Sequence, residues 1–68
     1  MSDRYEYQPH RLLRRRVRDI PSGTEGVLMA VITENVSPNR IEHWVDLAYI
    51  RDASGREFTT AVGNVAPA

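Results

Sequence analysis

The sequence predicts a small all-β domain, and three observations indicate this fold class. Residues 21–27 (PSGTEGV) and residues 52–58 (DASGREF) have the glycine-containing composition of turns and begin about thirty residues apart. The segments around them are short and either alternate apolar and polar residues or are continuously apolar, as strands are. A chain of 68 residues has room for one domain only.

Four segments have the pattern of strands: residues 16–20, 27–35, 43–51 and 56–62. In the first strand we expect Val17 to point inward, and Pro21 ends it. Gly23 and Gly26 permit positive φ in the loop that follows. Gly55 suits the left-handed position of a hairpin between the last two strands. Residues 65–67 form either one helical turn or a short closing strand.

The strand at residues 27–35 is apolar on both faces. Strict alternation places Val27, Met29, Val31 and Thr33 on one face and Leu28, Ala30, Ile32 and Glu34 on the other. A half-solvated strand would have one apolar face. We therefore expect that this strand bends and contributes to two sheet faces, or that its outer face is covered by the N-terminal segment or by another molecule.

Composition excludes several kinds of site. The chain has no cysteine, so it has no disulfide, thiolate nucleophile or cysteine zinc site. We expect no metal, no cofactor and no catalytic residue, because His10 and His43 are far apart in sequence and no serine lies in an activation motif. A domain this small that lacks a disulfide and a structural metal can enlarge its hydrophobic core by associating with another surface. No apolar run could span a membrane and no signal peptide is present, so we expect a cytoplasmic protein without a membrane partner.

Charge is distributed unevenly along a chain whose net charge is zero. Residues 1–18 hold six arginines and two acidic residues, a net charge of +4, and residues 19–68 have a net charge of −4. All nine basic residues are arginines. A GC-rich genome explains this use of arginine, and so does a need for the bidentate binding of phosphate or carboxylate.

The N-terminal residues 1–10 lack a sustained period, and we interpret them as a mobile tail in front of a domain at residues 11–68. Tyr5 and Tyr7 would either pack back on the sheet or be available to a partner. Residues 10–16 are compatible with a helix, a strand or a segment that is disordered until bound.

One segment resembles a known class of domains. Residues 19–27 (DIPSGTEGV) are similar to the opening of small bacterial SH3-like and KOW-like domains, and residues 44–47 (WVDL), 54–58 (SGREF) and 64–67 (NVAP) match later landmarks of that pattern. The resemblance covers residues 15–67 and implies an SH3-like barrel of four to five strands. That class includes peptide binders, transcription factors, antirepressors and accessory subunits, so it implies no single function.

The main candidate site is the arginine-rich segment, defined as Arg11, Arg14, Arg15, Arg16 and Arg18. In a strand, Arg14, Arg16 and Arg18 would project from one face. Together with Tyr5 or Tyr7 they would bind phosphates while a ring stacks on a base. The alternatives are a solvated face, salt-bridged by the acidic half of the same protein or of a sister subunit, and a docking surface for an acidic patch on a protein partner.

Trp44 is a second candidate, either as a binding platform or as a residue packed at the barrel rim. The carboxylates Glu34, Glu42, Asp46, Asp52 and Glu57 either imitate a row of phosphates or keep the surface soluble.

The sequence therefore predicts a non-enzymatic protein-interaction module, a small bacterial regulator or accessory subunit. It would dock on a protein partner or a second copy through the arginine-rich segment or through the apolar outer face near Leu28 and Ile32. The alternative is a nucleic-acid-binding module that uses the arginine-rich segment.

Overall fold

The computed structural model describes residues 5–35 and 42–68, and these form one antiparallel sheet of six strands. The strands are β1 (Tyr5–Gln8), β2 (Arg16–Asp19), β3 (Glu25–Asn35), β4 (Trp44–Asp52), β5 (Glu57–Ala61) and β6 (Val65–Pro67). A 3-10 helix, Val62–Asn64, joins β5 to β6. The all-β prediction is confirmed, with six strands in place of the four to five expected. Among the described residues, no helix is long and apolar enough to cross a membrane.

The sheet is built around β3, the longest strand. The strand order is β5-β4-β3-β2-β6, and β1 also pairs with β3. Along one edge of β3, β2 pairs with its beginning and β1 with its end, while β4 pairs along the other edge. Within the described residues β5 and β6 do not pair, so the sheet is not closed into a barrel.

The expectation of a mobile tail over residues 1–10 is wrong for its described part. Tyr5–Gln8 forms β1 and pairs with residues 31–34 of β3. β2 pairs only with residues 25–27 of β3, so the rest of this edge of β3 extends beyond β2. β1 pairs with backbone groups of this extension that would otherwise have no strand partner. The alternating Tyr-Glu-Tyr-Gln sequence suits a short strand, since tyrosine has a high β-propensity. Residues 1–4 lie outside the described residues.

A β-bulge in β3 explains why this strand is apolar on both faces. Leu28 pairs with Ile50 and Ala30 with Tyr49, so Met29 is an additional residue at this point. The inward alternation therefore passes from Leu28 to Val31, both of which are buried. The prediction that these two residues lie on opposite faces is wrong, because strict alternation holds only where the register is unbroken.

The core lies on the inner face of the sheet. Its buried side chains are Leu12, Val17, Leu28, Val31, Ala48 and Ile50. The inward position of Val17 is confirmed. Leu12 reaches this core from outside the strands, which makes the segment that carries it part of the fold.

That segment, residues 10–15, is a hydrogen-bonded turn. The Leu13 N–H donates to the His10 carbonyl at 3.1 Å, and the Arg15 N–H donates to the Leu12 carbonyl at 3.0 Å. The turn is fixed to the sheet because the Arg14 N–H donates to the Leu28 carbonyl at 2.8 Å and the Leu28 N–H donates to the Arg15 carbonyl at 3.1 Å. The sequence is compatible with helix, strand or disorder for residues 10–16; none of them describes residues 10–15, while Arg16 begins β2.

Asp19 holds the loop after β2 against β5. Its carboxylate accepts hydrogen bonds from the Ser22 hydroxyl at 2.5 Å and from the Thr60 hydroxyl at 2.7 Å. These bonds hold the pKa of Asp19 below its ordinary value of 3.8, and the Ser22 bond lowers it more than the Thr60 bond. Gly23 has the expected positive φ of 75°, which lets the loop turn back within hydrogen-bond reach of Asp19.

Candidate functional site

The arginine-rich segment is divided between the turn and β2. Arg14 has a φ of 68°, in the left-handed region, and therefore does not continue the strand. The expectation that Arg14, Arg16 and Arg18 project from one strand face is wrong for Arg14. The burial of Leu12 and the two backbone bonds between the turn and Leu28 fix this geometry. Arg16 and Arg18 are exposed on β2, alternating with inward Val17 and Asp19.

Three of these arginines surround one cavity. Arg11, Arg15 and Arg16 line an open space of about 450 Å³ together with Leu12 and the chain segment Pro67 and Ala68. Backbone hydrogen bonding holds this segment, since the Ala68 N–H donates to the Arg16 carbonyl at 3.2 Å. We call this site the arginine cavity.

The described acidic residues neutralise little of this charge locally. Arg16 pairs with Glu25, with a distance of 3.0 Å between Nη2 and Oε1. Both side chains are solvent-exposed, and such pairs contribute little to stability. Within residues 5–35 and 42–68, Arg11, Arg14, Arg15 and Arg18 form no ion pair. Among the described residues, salt bridging within the same chain therefore applies to Arg16 alone.

Tyr5 and Tyr7 lie on the outer face of the sheet, beside the apolar part of β3. Their ring centroids are 5.9 Å apart with an interplanar angle of 86°, an edge-to-face pair. They remain 54% and 68% exposed although their backbone belongs to a paired strand. Tyr5 pairs across the ladder with Glu34, and Tyr7 pairs with Ile32.

These rings form one side of an open groove of about 430 Å³, which we call the tyrosine groove. β3 supplies its middle with Met29, Ala30 and Ile32. Tyr49 of β4 lies on the opposite side from β1. The acidic residues Glu34 and Glu57 also line the groove.

A short hydrogen bond joins Tyr49, on the β4 side of the tyrosine groove, to Glu34 of β3. The Tyr49 hydroxyl donates to Glu34 Oε1 at 2.5 Å. This bond, together with partial burial and the charge of Glu34, raises the pKa of Tyr49 to about 12, so Tyr49 stays a neutral donor at physiological pH. Glu57 Oε2 lies 2.9 Å from Arg51 Nη2 in an exposed ion pair.

The tyrosine groove and the arginine cavity are separate sites. Tyr7 pairs with Ile32 and Arg16 pairs with Val27, so the two positions lie five residues apart along β3, which is roughly 15 Å. None of the residues that the structure describes lines both cavities. The expected combination of Tyr5 or Tyr7 with the arginines around one nucleotide is not assembled in a single cavity.

Trp44 belongs to neither site. It begins β4, is 46% exposed, and its indole N–H donates to Glu42 Oε1 at 3.5 Å. Leu28, expected near an outer docking face, is fully buried in the core and cannot contact a partner. Ile32 does lie on the outer face, because the bulge places it there.

Sequence reasoning did not single out Tyr49 or Met29 as site residues. Their places in the tyrosine groove depend on the β-bulge in β3, which no local sequence pattern predicts. Of the five carboxylates considered as a phosphate-like row, only Glu34 and Glu57 come together at this groove. No protein-family model, curated protein or solved structure matches the chain.

Proposed function

We propose that this protein is a non-enzymatic protein-interaction module, a small bacterial regulator or accessory subunit, that binds a partner through the tyrosine groove. The observation that carries this proposal is the exposure of Tyr5 and Tyr7 on an ordered strand beside Met29, Ala30 and Ile32. Tyrosine is enriched at interfaces because it buries a large ring and keeps a polar hydroxyl. A ring already held by a paired strand loses little further freedom on binding.

The same proposal includes an SH3-like architecture for β2 to β6, with β1 as an addition. In its favour, a turn, a long strand with a β-bulge, a tight hairpin and a closing strand follow one another in the expected order. The two ends of the strand order, β5 and β6, are joined directly by a three-residue 3-10 helix. This short connection brings the two ends of the sheet to one corner, as in a sheet that curls toward a barrel.

Site-specific photo-crosslinking tests the proposed interface. Tyr7 is replaced with p-benzoylphenylalanine in cells that express the protein naturally, and the crosslinked protein is identified by mass spectrometry. The matched control carries the crosslinker in place of Ile20, which is 57% exposed and outside the groove. We expect a discrete adduct from position 7 only. Equal adducts at both positions, or none at position 7, would contradict the proposal.

Binding measured with the purified partner gives a second test. Tyr7→Ala should weaken binding about tenfold, the effect of an interface hot spot, whereas Ile20→Ala should not.

A second candidate function, nucleic-acid binding, is favoured by the arginine cavity. Arg11 and Arg15 are exposed without an ion pair among the described residues and line the same cavity as Arg16. Guanidinium groups in such an arrangement bind phosphate oxygens.

Fluorescence anisotropy of labelled mixed-sequence DNA and RNA, measured across salt concentrations, tests this candidate. We expect the slope of log K against log salt to flatten by about 2 in the double variant Arg11→Ala/Arg15→Ala, since each lost phosphate contact removes about 0.9. The double variant Arg51→Ala/Arg56→Ala, on the β4–β5 hairpin, makes the same change in net charge and should keep a steeper slope. Absence of binding at low salt would remove the candidate.

A further inference from the structure

We propose that the tyrosine groove recognises a cationic side chain, arginine or lysine, in a basic peptide segment of the partner protein. The inference rests on the proposed function and adds the chemistry of the ligand. It follows from three properties of the groove: its apolar middle, its aromatic sides and its carboxylates.

The apolar middle suits the aliphatic part of a long cationic side chain. Met29, Ala30 and Ile32 are half-buried and line the groove between β1 and β4. Arginine and lysine side chains lay their methylene groups along such surfaces while the charged end remains near polar groups. A small or acidic side chain would leave this surface in contact with water.

The aromatic sides attract a cation. The face of a tyrosine ring carries negative electrostatic potential, and arginine in particular stacks on such faces. In the edge-to-face pair of Tyr5 and Tyr7, one ring contacts the other through its edge only, so this contact leaves its faces available to a cation. Tyr49 contributes a third ring from the opposite side.

The charged residues of the groove select the sign of the ligand. Glu34 and Glu57 line it, and among residues 5–35 and 42–68 no basic side chain does. Glu57 is engaged by the exposed Arg51, so Glu34 is the better acceptor for a ligand. A carboxylate has about four acceptor positions, and Glu34 uses Oε1 for the Tyr49 hydroxyl. Glu34 therefore keeps acceptor capacity for a guanidinium or ammonium group, and an acidic peptide would be repelled.

The test uses blocked pentapeptides of sequence Gly-Ser-X-Ser-Gly, in which X is arginine, lysine, citrulline or norleucine. Citrulline keeps the shape of arginine without its charge, and norleucine keeps the aliphatic stem. Binding to the full chain is followed by NMR through the Ala30 and Ile32 methyl signals. We expect the arginine and lysine peptides to shift these signals at concentrations at least tenfold lower than the citrulline and norleucine peptides require.

Two variants assign the site. Glu34→Gln should weaken arginine-peptide binding about fivefold or more. Glu6→Gln should not, because Glu6 is a surface carboxylate on β1 whose side chain points to the opposite face of the sheet. Tyr7→Ala serves as a second groove variant that does not threaten folding, because this side chain is 68% exposed.

The outcomes separate this inference from the proposed function. Equal affinity for arginine and citrulline peptides, or equal effects of Glu34→Gln and Glu6→Gln, would overturn the cation specificity even if the position-7 crosslink stands. Groove signals that shift with protein concentration alone, and no longer shift in Arg11→Ala/Arg15→Ala, would show that a second copy occupies the groove and overturn the assignment to a partner peptide. Loss of the crosslink with retained arginine-peptide binding would contradict the proposed function alone.

Discussion

Gly26→Ala is expected to lower the free energy of unfolding by about 3 kcal/mol, at the upper end of the usual cost of overpacking. Gly26 is buried in β3 and pairs with Val17 on one side and Asp52 on the other. A Cβ at this position would collide with the Arg51 carbonyl oxygen and lie 2.8 Å from Ile50 Cγ2. The carbonyl belongs to the backbone, so relief requires β3 and β4 to separate.

Urea unfolding followed by far-UV circular dichroism measures this effect. Gly63→Ala is the matched control, because a Cβ there meets no atom within 4 Å and the residue lacks a positive φ. We expect this control to remain within about 0.5 kcal/mol of the parent chain. For a domain of this size the total stability is on the order of 5 kcal/mol, so the Gly26 variant should keep only about 2 kcal/mol and unfold at a much lower urea concentration. Similar midpoints for the two variants would show that β3 and β4 accommodate the added methyl group.

Local features of the fold were predictable because local sequence determines them. Gly23 and Gly55 have φ values of 75° and 87°, as their turn contexts indicated. The strand pattern around Val17 placed this side chain in the core because β2 has an unbroken period of two. Each of these predictions needs only a few neighbouring residues.

Features that depend on pairing were not predictable. The bulge at Met29 depends on which residue of β4 faces which residue of β3, and this register is not written in either strand alone. The same holds for Gly26, which was expected to permit a positive φ in a loop but lies in β3, where the close approach of the Arg51 backbone requires glycine. Residues 5–8 form a strand because they pair with an edge of β3. Four residues alone are too few for a strand to be predicted from their sequence.

The candidate sites follow the same division. Composition was enough to single out the arginine-rich segment and the two N-terminal tyrosines. It could not separate them into two sites, since that depends on Leu12 anchoring a turn and on β1 pairing beyond the bulge. The hydrogen bond between Tyr49 and Glu34 joins residues fifteen positions apart and appears only once β3 and β4 are aligned.

Leu12→Ala is the second change with a large expected effect, because Leu12 connects the arginine cavity to the core. The side chain is 5% exposed and packs in the same cluster as Val17 and Leu28. Truncation of a buried leucine costs about 2–4 kcal/mol, through lost burial and the cavity that remains. Within this turn Leu13 also packs against the core but is only partly buried, so Leu12 is the main anchor. We therefore expect the turn to loosen first and Arg11 and Arg15 to lose their fixed positions.

The effect of Leu12→Ala on polyanion binding distinguishes binding by arginines in fixed positions from binding by net charge alone. Leu12→Ala changes no charged residue, so a polyanion that responds only to charge density should bind it as tightly as the parent chain. If the arginine cavity binds phosphates through fixed guanidinium groups, affinity should fall severalfold at equal salt, because ordering the turn then opposes binding. Leu13→Ala is the matched control, since Leu13 is only half-buried, and Leu12→Val provides a milder variant that stays folded. Thermal unfolding and anisotropy measured on the same samples give both readouts. An unchanged affinity together with a lowered Tm would assign Leu12 to stability alone and the arginine cavity to nonspecific electrostatics.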